Sequence, residues 1–347
     1  MNVTQARAVA RRWVLDEAST ASGFDGAFYH GSTNWLPGDA PLSATSDLDV
    51  IVVHTGASLP PKPGKFFHRG VILDVSYLPS DQLRSPPAVL GQYHLAGSFQ
   101  TPRVIADPSG RLTKLQAAVA KDYAKRRWVS RRCEDAQNKV LGHLRSLSET
   151  APFHDQVTAW LFATGVTTHV LLVAGLKNPT VRRRYLAARD LLAEYQRLDF
   201  YDTLLQPLGC ARISPSRVEH HLVALTEAFD AAKGVVATPF FFASDISDLG
   251  RPIAVDGSRE LIARGDHREA IFWIVATYAR CQKVLYHDAP PEMRHRFDRG
   301  FRHLLADLGI TSFADLRQRG DQVQHFLPRV SEVAKAIIAA NPDIEHP

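Results

Sequence analysis

The feature that most constrains this chain is a change of pattern about one third of the way along it. Before residue 112, short runs rich in β-branched and aromatic residues alternate with turn residues, which is typical of strands. These runs cover residues 26–32, 48–54, 70–78 and 102–107. From about residue 112 onward, apolar residues recur at helical spacing. We therefore predict an α+β fold, with a small mixed-sheet domain at residues 1–115 followed by a mostly α-helical bundle domain at residues 116–347.

Composition limits the classes of protein that fit. With 347 residues, 45% of them hydrophobic, the chain can bury a core in each of two domains. The net charge of +5 is a mild excess, which suits an anionic ligand such as a nucleotide and does not require nucleic acid. The three cysteines are far apart and form no CxxC pair. Neither a disulfide framework nor a zinc ribbon is indicated, and a cytoplasmic location fits best.

Two apolar segments bear on membrane association. The N-terminal segment carries Arg7, Arg11 and Arg12 within its most apolar stretch, so it predicts an amphipathic helix rather than a signal peptide. Residues 157–176 contain no Asp, Glu, Lys or Arg over a length that could span a bilayer. Three threonines in this segment share one helix face, which favours a central helix buried in a bundle. We therefore expect no membrane partner.

Two later segments begin with helix-capping patterns. We predict that Asn178 and Pro179 occupy the N-cap and the first helical position of a helix that carries the arginine-rich segment. Asp266 and Glu269 have the spacing of a capping box at the start of another apolar helix. The basic residues at 182–189 admit two interpretations. We favour a solvated helix face over a surface that neutralises phosphate groups.

Two carboxylates stand at the start of the apolar run 48–54. Asp47 and Asp49 are two residues apart, so on a strand both side chains lie on one face, about 6–7 Å apart at Cα. Like charges this close disfavour each other's ionisation unless a cation lies between them. Asp74 interrupts the run at 70–78, where a carboxylate is costly without a partner. If the two runs are neighbouring strands, three carboxylates converge into the oxygen-rich ligand set that Mg²⁺ prefers.

Each acidic residue also has a structural interpretation. Asp47 and Asp49 alone would fit a turn at the start of a strand, and Asp74 would fit an ion pair with an arginine. The turn formed by Gly31 and Ser32, directly after the first strand-like run, favours the functional interpretation. A glycine there lets the backbone approach a bound group, and the serine hydroxyl and neighbouring amides can donate hydrogen bonds to phosphate oxygens.

The order of these elements resembles the signature of the DNA polymerase beta superfamily of nucleotidyltransferases. The residues that carry the resemblance are Gly31 and Ser32, a loop, and then the sequence DLDV at 47–50. The resemblance covers about residues 1–115. The helical part is similar, in layout only, to the second domain of the antibiotic-modifying branch. The loop at 33–46 is longer than is usual in the family.

The resemblance implies a reaction and a role for each residue of the motif. It implies that Asp47, Asp49 and Asp74 hold two Mg²⁺ ions, and that Asp74 can also take the proton of the acceptor. It implies that Gly31, Ser32 and neighbouring amides bind the β- and γ-phosphates of an NTP. The nucleoside monophosphate would pass to a hydroxyl group of a small-molecule acceptor, and pyrophosphate would leave.

Two further features near the strand-like runs have structural interpretations. The sequence around Asp107 resembles a strand and Asp-x-x-Gly turn of the same family, and we predict that Asp107 forms the turn rather than a metal ligand. Tyr93, His94 and Ser98 could line a nucleotide site, but a lone histidine in a mostly apolar segment more often packs structurally. We therefore do not place them in the site.

Other functions stay open at this point. Transfer of the nucleotide to a tRNA end or to a protein side chain remains an alternative because the segments 121–132 and 182–189 are basic. Nucleic acid is thus an alternative partner, which we do not favour. A regulator that binds a nucleotide without turnover is the third interpretation, since a fold alone does not determine an activity.

Overall fold

Five strands in the N-terminal part of the chain form one sheet. The computed structural model describes residues 1–56 and 58–345. Within them the strands are β1 (Phe24–His30), β2 (Leu48–His54), β3 (Gly64–His68), β4 (Val71–Pro79) and β5 (Val104–Ala106). Their order across the sheet is β3-β4-β2-β1-β5; β2 and β4 are parallel, and all other neighbours are antiparallel. The predicted α+β class and mixed sheet are therefore confirmed.

Four of these strands lie at the runs that the sequence pattern predicts, and β2 has the predicted bounds. Strand β3 was not predicted. It is five residues long and follows a proline-rich segment at 59–63, which indicates a loop. Its pairing with β4 places it at the edge of the sheet, beside the strand that carries Asp74.

The first compact unit consists of Met1–Arg132 together with the C-terminal segment that starts at Pro342. Its helices are α1 (Val3–Asp16), α2 (Pro86–Leu90) and α3 (Arg111–Asp122), and the division from the second unit falls inside α4 (Arg126–Arg145). Helix α1 is the predicted N-terminal helix, and it begins with a capping box between Asn2 and Gln5.

The sheet has an apolar core on each face. Leu48, Val50 and Val52 of β2 are at most 2% exposed and belong to the core that contains the buried face of α1. On the opposite face, Phe28 of β1 packs in a second core with Leu112 of α3 and residues of α2. Because β1 and β2 are held on both faces, the acidic start of β2 has a fixed position in the unit.

The second compact unit, Cys133–Asn341, is helical. Its helices are α5 (Phe153–Ala174), α6 (Arg184–Glu194), α7 (Asp199–Leu205), α8 (Pro215–Val235), α9 (Gly257–Ala263), α10 (His267–Asp288), α11 (Pro291–Asp307) and α12 (Phe313–Ala340). A five-residue π-helical segment, Pro252–Asp256, leads directly into α9. Residues 133–341 are all described by the structure and contain no strand, in agreement with the predicted change from strands to helices.

Helix α5 is the central helix of this unit, as the sequence predicts. It packs against α6, α10 and α12. By length and composition it could cross a bilayer, and 89% of its most apolar window is buried inside the protein. The hydroxyl groups of Thr164, Thr167 and Thr168 donate to carbonyl oxygens of the same helix at 2.6–2.9 Å. The hydroxyl groups of this buried helix are thus satisfied within it.

Helix α6 does not begin where the sequence predicts. It begins at Arg184, whereas Asn178 and Pro179 lie in the loop after α5. Leu176 has a φ of +54°, and the amide of Lys177 donates to a carbonyl oxygen of α5 at 2.8 Å. This is the hydrogen-bond pattern of a helix C-terminus. Because the residues after α5 complete its end, the predicted cap falls too early in the chain to start α6.

The prediction of a solvated basic face at 182–189 is wrong for two of its arginines. Arg184 is 1% exposed, and its guanidinium carbon lies 3.8 Å from the ring centroid of Phe272. Arg189 is engaged by acidic side chains of the same unit. A guanidinium group stacks on aromatic rings more readily than an ammonium group does, which explains how Arg184 is accommodated in an apolar environment.

Helix α10 begins after Asp266 as predicted, but the predicted capping box does not form. Within the described chain, the side chain of Asp266 makes no cap hydrogen bond. Instead, Arg189 donates to Asp266 at 2.8 Å and to Glu269 at 2.9 Å, and Tyr201 also donates to Glu269 at 2.8 Å. Glu269 is 1% exposed, so its charge needs these partners. The ion pair with Arg189 therefore takes the place of the cap.

Candidate metal centre

Three aspartates meet where β2 and β4 run side by side. The parallel register of these strands pairs Asp49 with Asp74, and Asp47 precedes β2 by one residue. One carboxylate oxygen from each of the three residues lies within 4.8 Å of the others. Among the described residues, this is the one group of three or more potential metal ligands so closely placed. The structure thus brings together the three carboxylates that the sequence analysis singled out.

The carboxylates are partly accessible. The side chain of Asp47 is 19% exposed and that of Asp74 is 12% exposed. A ligand can reach them from solvent, while most of each side chain is shielded by the protein. The donor set consists of oxygen atoms only, which suits a hard divalent cation such as Mg²⁺.

Two lysines that the sequence analysis did not single out contact the aspartates. Lys65, on β3, donates to Asp74 and lies 2.8 Å from an oxygen of Asp47. Lys62 lies 3.0 Å from the other oxygen of Asp74. Lys65 stands opposite Asp74 in the β3–β4 register. Because β3 was not predicted, no pattern in the sequence indicated that these lysines would reach the cluster.

The cluster makes ionisation of Asp49 unfavourable. Burial, followed by the negative charges of Asp47 and Asp74, raises the pKa of Asp49 well above its usual value, and Lys65 and Lys62 oppose this rise. A bound cation would favour the ionised carboxylate. The electrostatic environment of Asp49 therefore fits a metal ligand.

Asp74 has the opposite shift. Burial alone would raise its pKa, but the charges and hydrogen bonds of Lys65 and Lys62 outweigh burial and hold the pKa of Asp74 below its usual value. Asp74 is therefore ionised at neutral pH and is a weak base.

The Gly31 turn contacts the acidic cluster directly. Gly31 has a φ of +69°, and a Cβ atom added there would overlap Oδ2 of Asp49 and lie 2.7 Å from its Cγ. Ser32 is exposed and begins a short 3₁₀ turn, Ser32–Trp35. The amide of Asn34 donates to the Gly31 carbonyl at 3.3 Å. An added Cβ atom has no room beside the carboxylate, so the backbone of this turn lies directly against the acidic cluster.

Two arginines hold the same turn from its carbonyl side. Arg7 of α1 donates to the carbonyl oxygen of Thr33, and Arg103 donates to that of Asn34 at 3.4 Å. Burial and the neighbouring charge of Arg103 lower the pKa of Arg7. The two guanidinium groups therefore add positive charge close to the turn, which favours an anionic ligand.

The long loop at 33–46 has a structural role at the start of α1. The amide of Val3 donates to the carbonyl of Ala40 at 3.0 Å, and the amide of Thr4 donates to that of Gly38 at 2.9 Å. The first amides of a helix have no partner within the helix. The loop supplies those partners, so its length links the Gly31 turn to α1.

A half-buried histidine lies beside the cluster. His30 stands opposite Asp49 in the β1–β2 register, and its Nδ1 atom lies 2.6 Å from the hydroxyl oxygen of Ser98. Burial, with a smaller contribution from His94, lowers the pKa of His30 to about 4. His30 is therefore neutral at neutral pH. Neither Ser98 nor His94 was predicted to belong to the site, and the structure brings Ser98 to its edge.

Asp107 forms the turn that the sequence predicts. One of its carboxylate oxygens accepts hydrogen bonds from the amide and the hydroxyl group of Thr113, both at 2.8 Å, and Ser109 donates to the other at 3.5 Å. These bonds fix the first turn of α3. Asp107 is not part of the acidic cluster.

No protein-family model matches the sequence, and neither does any curated protein. A function for the chain is therefore inferred from the site itself, since the same fold can host unrelated activities.

Proposed function

We propose that the chain is a metal-dependent nucleotidyltransferase, in which the sheet domain at 1–115 is catalytic and the helical domain at 116–347 accompanies it. The observation that carries the proposal is the contact between Gly31 and Asp49 within a cluster of three carboxylates. It joins a backbone cradle suited to phosphate with a donor set suited to Mg²⁺. The resemblance to the DNA polymerase beta superfamily adds the reaction class.

The residues of the site have separate roles in this proposal. Asp47 and Asp49 hold Mg²⁺, and Asp74 completes the ligand set. Two bound Mg²⁺ ions would supply charge stabilisation for the attacking and leaving oxygens of an in-line displacement at the α-phosphorus. Ser32 and the amides after Gly31 orient the β- and γ-phosphates of the NTP, so that pyrophosphate leaves in line with the acceptor hydroxyl.

Asp74 is better suited to bind a cation than to accept a proton. The two lysines hold its pKa below the usual range, and a weak base removes a proton from a hydroxyl group inefficiently. We therefore assign Asp74 to the ligand set and not to proton removal. The resemblance implies both roles, and the environment of the side chain favours the first.

We propose a small hydroxyl-bearing molecule as the acceptor and the cytoplasm as the location. The net charge of +5 is small for a protein that tracks a nucleic-acid backbone. All three cysteines are buried and none of them forms a disulfide, which suits a reducing compartment.

Label transfer from NTPs labelled at the α-phosphorus tests the proposal and its alternatives together. The protein is incubated with Mg²⁺, each labelled NTP and a panel of aminoglycosides and other polyhydroxylated metabolites. Labelling of a small molecule is the expected result. Labelling of tRNA, or of protein, would replace the small acceptor by a macromolecule. Nucleotide binding without release of pyrophosphate under any condition would favour the regulator.

A further inference from the structure

The ammonium group of Lys65 occupies the side of the acidic cluster that faces β3. It donates to Asp74 and lies 2.8 Å from Asp47, so it bridges two of the three carboxylates. The antiparallel register between β3 and β4 sets Lys65 directly opposite Asp74. The pairing of β3 with β4 therefore fixes the position of this cation.

Lys65 is also well shielded from solvent. Its side chain is 7% exposed, whereas that of Lys62 is 29% exposed. A shielded ammonium group is stable only when it is paired with anions, and the carboxylates it pairs with are the proposed metal ligands. Lys65 and a divalent cation therefore compete for the same oxygens.

The charges of the site indicate when that competition favours the metal. Without a ligand, the two lysines nearly neutralise the three carboxylates. Two divalent ions added to this arrangement would give the cluster a positive formal charge. The triphosphate of an NTP would compensate that charge, and a Mg²⁺ ion bound to an NTP arrives with its counter-charge already in place.

We propose that Lys65 is the resident cation of the acidic cluster and that divalent ions replace it there only together with a nucleotide. The inference rests on the proposed function. Lys65 keeps free divalent ions from filling the site when no nucleotide is bound, and it couples metal binding to nucleotide binding. By thermodynamic reciprocity, the metal strengthens nucleotide binding by the same factor. In this role Lys65 acts on the carboxylates and does not contact the reacting atoms.

The test measures Mn²⁺ binding directly, from the electron paramagnetic resonance signal of free Mn²⁺, with and without a non-hydrolysable NTP analogue. The full-length protein is compared with Lys65→Met, which removes the ammonium group and keeps an unbranched side chain that is one atom shorter. Lys114→Met is the matched control, because Lys114 is an exposed lysine on α3 of the same unit.

The expected result is a loss of coupling in the Lys65 variant. The unmodified protein should bind Mn²⁺ at least about tenfold more tightly with the analogue than without it, which falls within the usual range of coupling between two sites. Lys65→Met should bind Mn²⁺ without the analogue about as tightly as the unmodified protein binds it with the analogue. Lys114→Met should behave as the unmodified protein does.

Thermal unfolding gives a second readout that does not depend on activity. Lys65→Met leaves three carboxylates without their nearest cation, so its Tm without metal should fall, and Mn²⁺ alone should raise it by more than it raises the Tm of the unmodified protein. If Lys65→Met does not fold, Lys65→Gln serves in the same comparison. The comparison of Mn²⁺ affinity with and without the analogue in the unmodified protein tests the coupling without any variant.

Two results would overturn the inference alone. One is Mn²⁺ binding to the unmodified protein that is equally tight with and without the analogue. The other is Mn²⁺ affinity in Lys65→Met that is unchanged or weaker, while the unmodified protein binds Mn²⁺ and releases pyrophosphate. If neither protein binds Mn²⁺, with or without the analogue, the metal centre itself is absent, and the proposed function fails together with the inference.

Discussion

Gly31, in the turn after β1, and Asp49, in β2, are in direct contact, although the whole loop at 33–46 lies between them in the chain. The α-carbon of Gly31 lies against the carboxylate of Asp49, and no side chain fits between them. The proposed phosphate cradle and the proposed metal ligand are therefore positioned by one another. A substitution at either residue is expected to displace the other.

Gly31→Ala should reduce both stability and metal binding. The added methyl group overlaps the Asp49 carboxylate, and the φ of +69° is unfavourable for alanine. Gly110→Ala is the control for an added methyl group that meets nothing, because Gly110 also has a φ of +69° and no atom within 4 Å of the added Cβ. Its ψ is 5°, whereas that of Gly31 is −158°, a conformation that only glycine adopts readily, so backbone strain adds to the overlap at Gly31. The control should lose only about 1–2 kcal/mol of unfolding free energy. Gly31→Ala should lose more, and its Mn²⁺ affinity should fall at least about tenfold. An Mn²⁺ affinity that is the same in Gly31→Ala and Gly110→Ala would contradict the role of the contact.

Arg189→Ala should destabilise the helical unit strongly. It removes the cation that pairs with Glu269, a carboxylate that is 1% exposed. Breaking a buried pair from one side costs about 3–5 kcal/mol. Arg183→Ala is the matched control, because Arg183 is exposed on the same basic segment, and its effect should stay within about 0.5 kcal/mol. Urea unfolding measures both, and similar losses in the two variants would contradict the assignment.

Acidification should destabilise the protein in part through His143. Burial, followed by the nearby charges of Lys139 and Arg184, lowers the pKa of His143 from 6.5 to about 4. Between these values the unfolded chain binds a proton that the folded chain does not bind, so the free energy of unfolding falls as the pH falls from 6.5 to about 4. In His143→Gln, the slope of the unfolding free energy against pH should be smaller over this range, by the equivalent of at most about one bound proton. An unchanged slope would contradict the shift.

Asp107→Ala should weaken the start of α3 and leave Mn²⁺ binding by the acidic cluster unchanged. It removes the acceptor for the amide and the hydroxyl group of Thr113. Loss of a helix cap costs about 1 kcal/mol. Mn²⁺ affinity should not change, and a marked loss of affinity would mean that Asp107 belongs to the metal centre.

The sequence predicts the acidic cluster well because side chains alternate between the two faces of a strand. Alternation places Leu48, Val50 and Val52 in a core, so Asp49 must lie on the other face, and this holds in the structure. The remaining requirement, that β2 and β4 are neighbours, depends on long-range pairing. From the sequence this pairing was only a condition for the three carboxylates to converge, and the structure meets that condition.

The lysines of the cluster could not be predicted in the same way. Lys65 reaches Asp74 only because β3 pairs with β4, and β3 is too short and too close to prolines to have a strand-like pattern. The helix start at Asn178 was wrong for a related reason. The capping pattern at Asn178 is local. The residues just before it complete the end of α5, and this determines where the next helix can begin.

The roles of the arginines at 184 and 189 depend on tertiary contacts. A cluster of basic residues predicts a solvated face when only the local sequence is considered. In the structure, Phe272 and Glu269 from α10 engage them. No local pattern in the arginine-rich segment identifies partners about 80 residues away.

The central claim is tested most directly by the rate at which Asp49→Asn releases pyrophosphate from NTP. This rate is compared with those of the unmodified protein and of Asp107→Asn. The substitution at Asp49 keeps the size of the side chain and removes the charge that binds Mg²⁺. Since metal binding contributes several kcal/mol to such a transition state, the Asp49 variant should lose about a thousandfold in rate, and the Asp107 variant should keep its rate. Pyrophosphate release that is unchanged in Asp49→Asn would contradict a nucleotidyltransferase centred on this cluster.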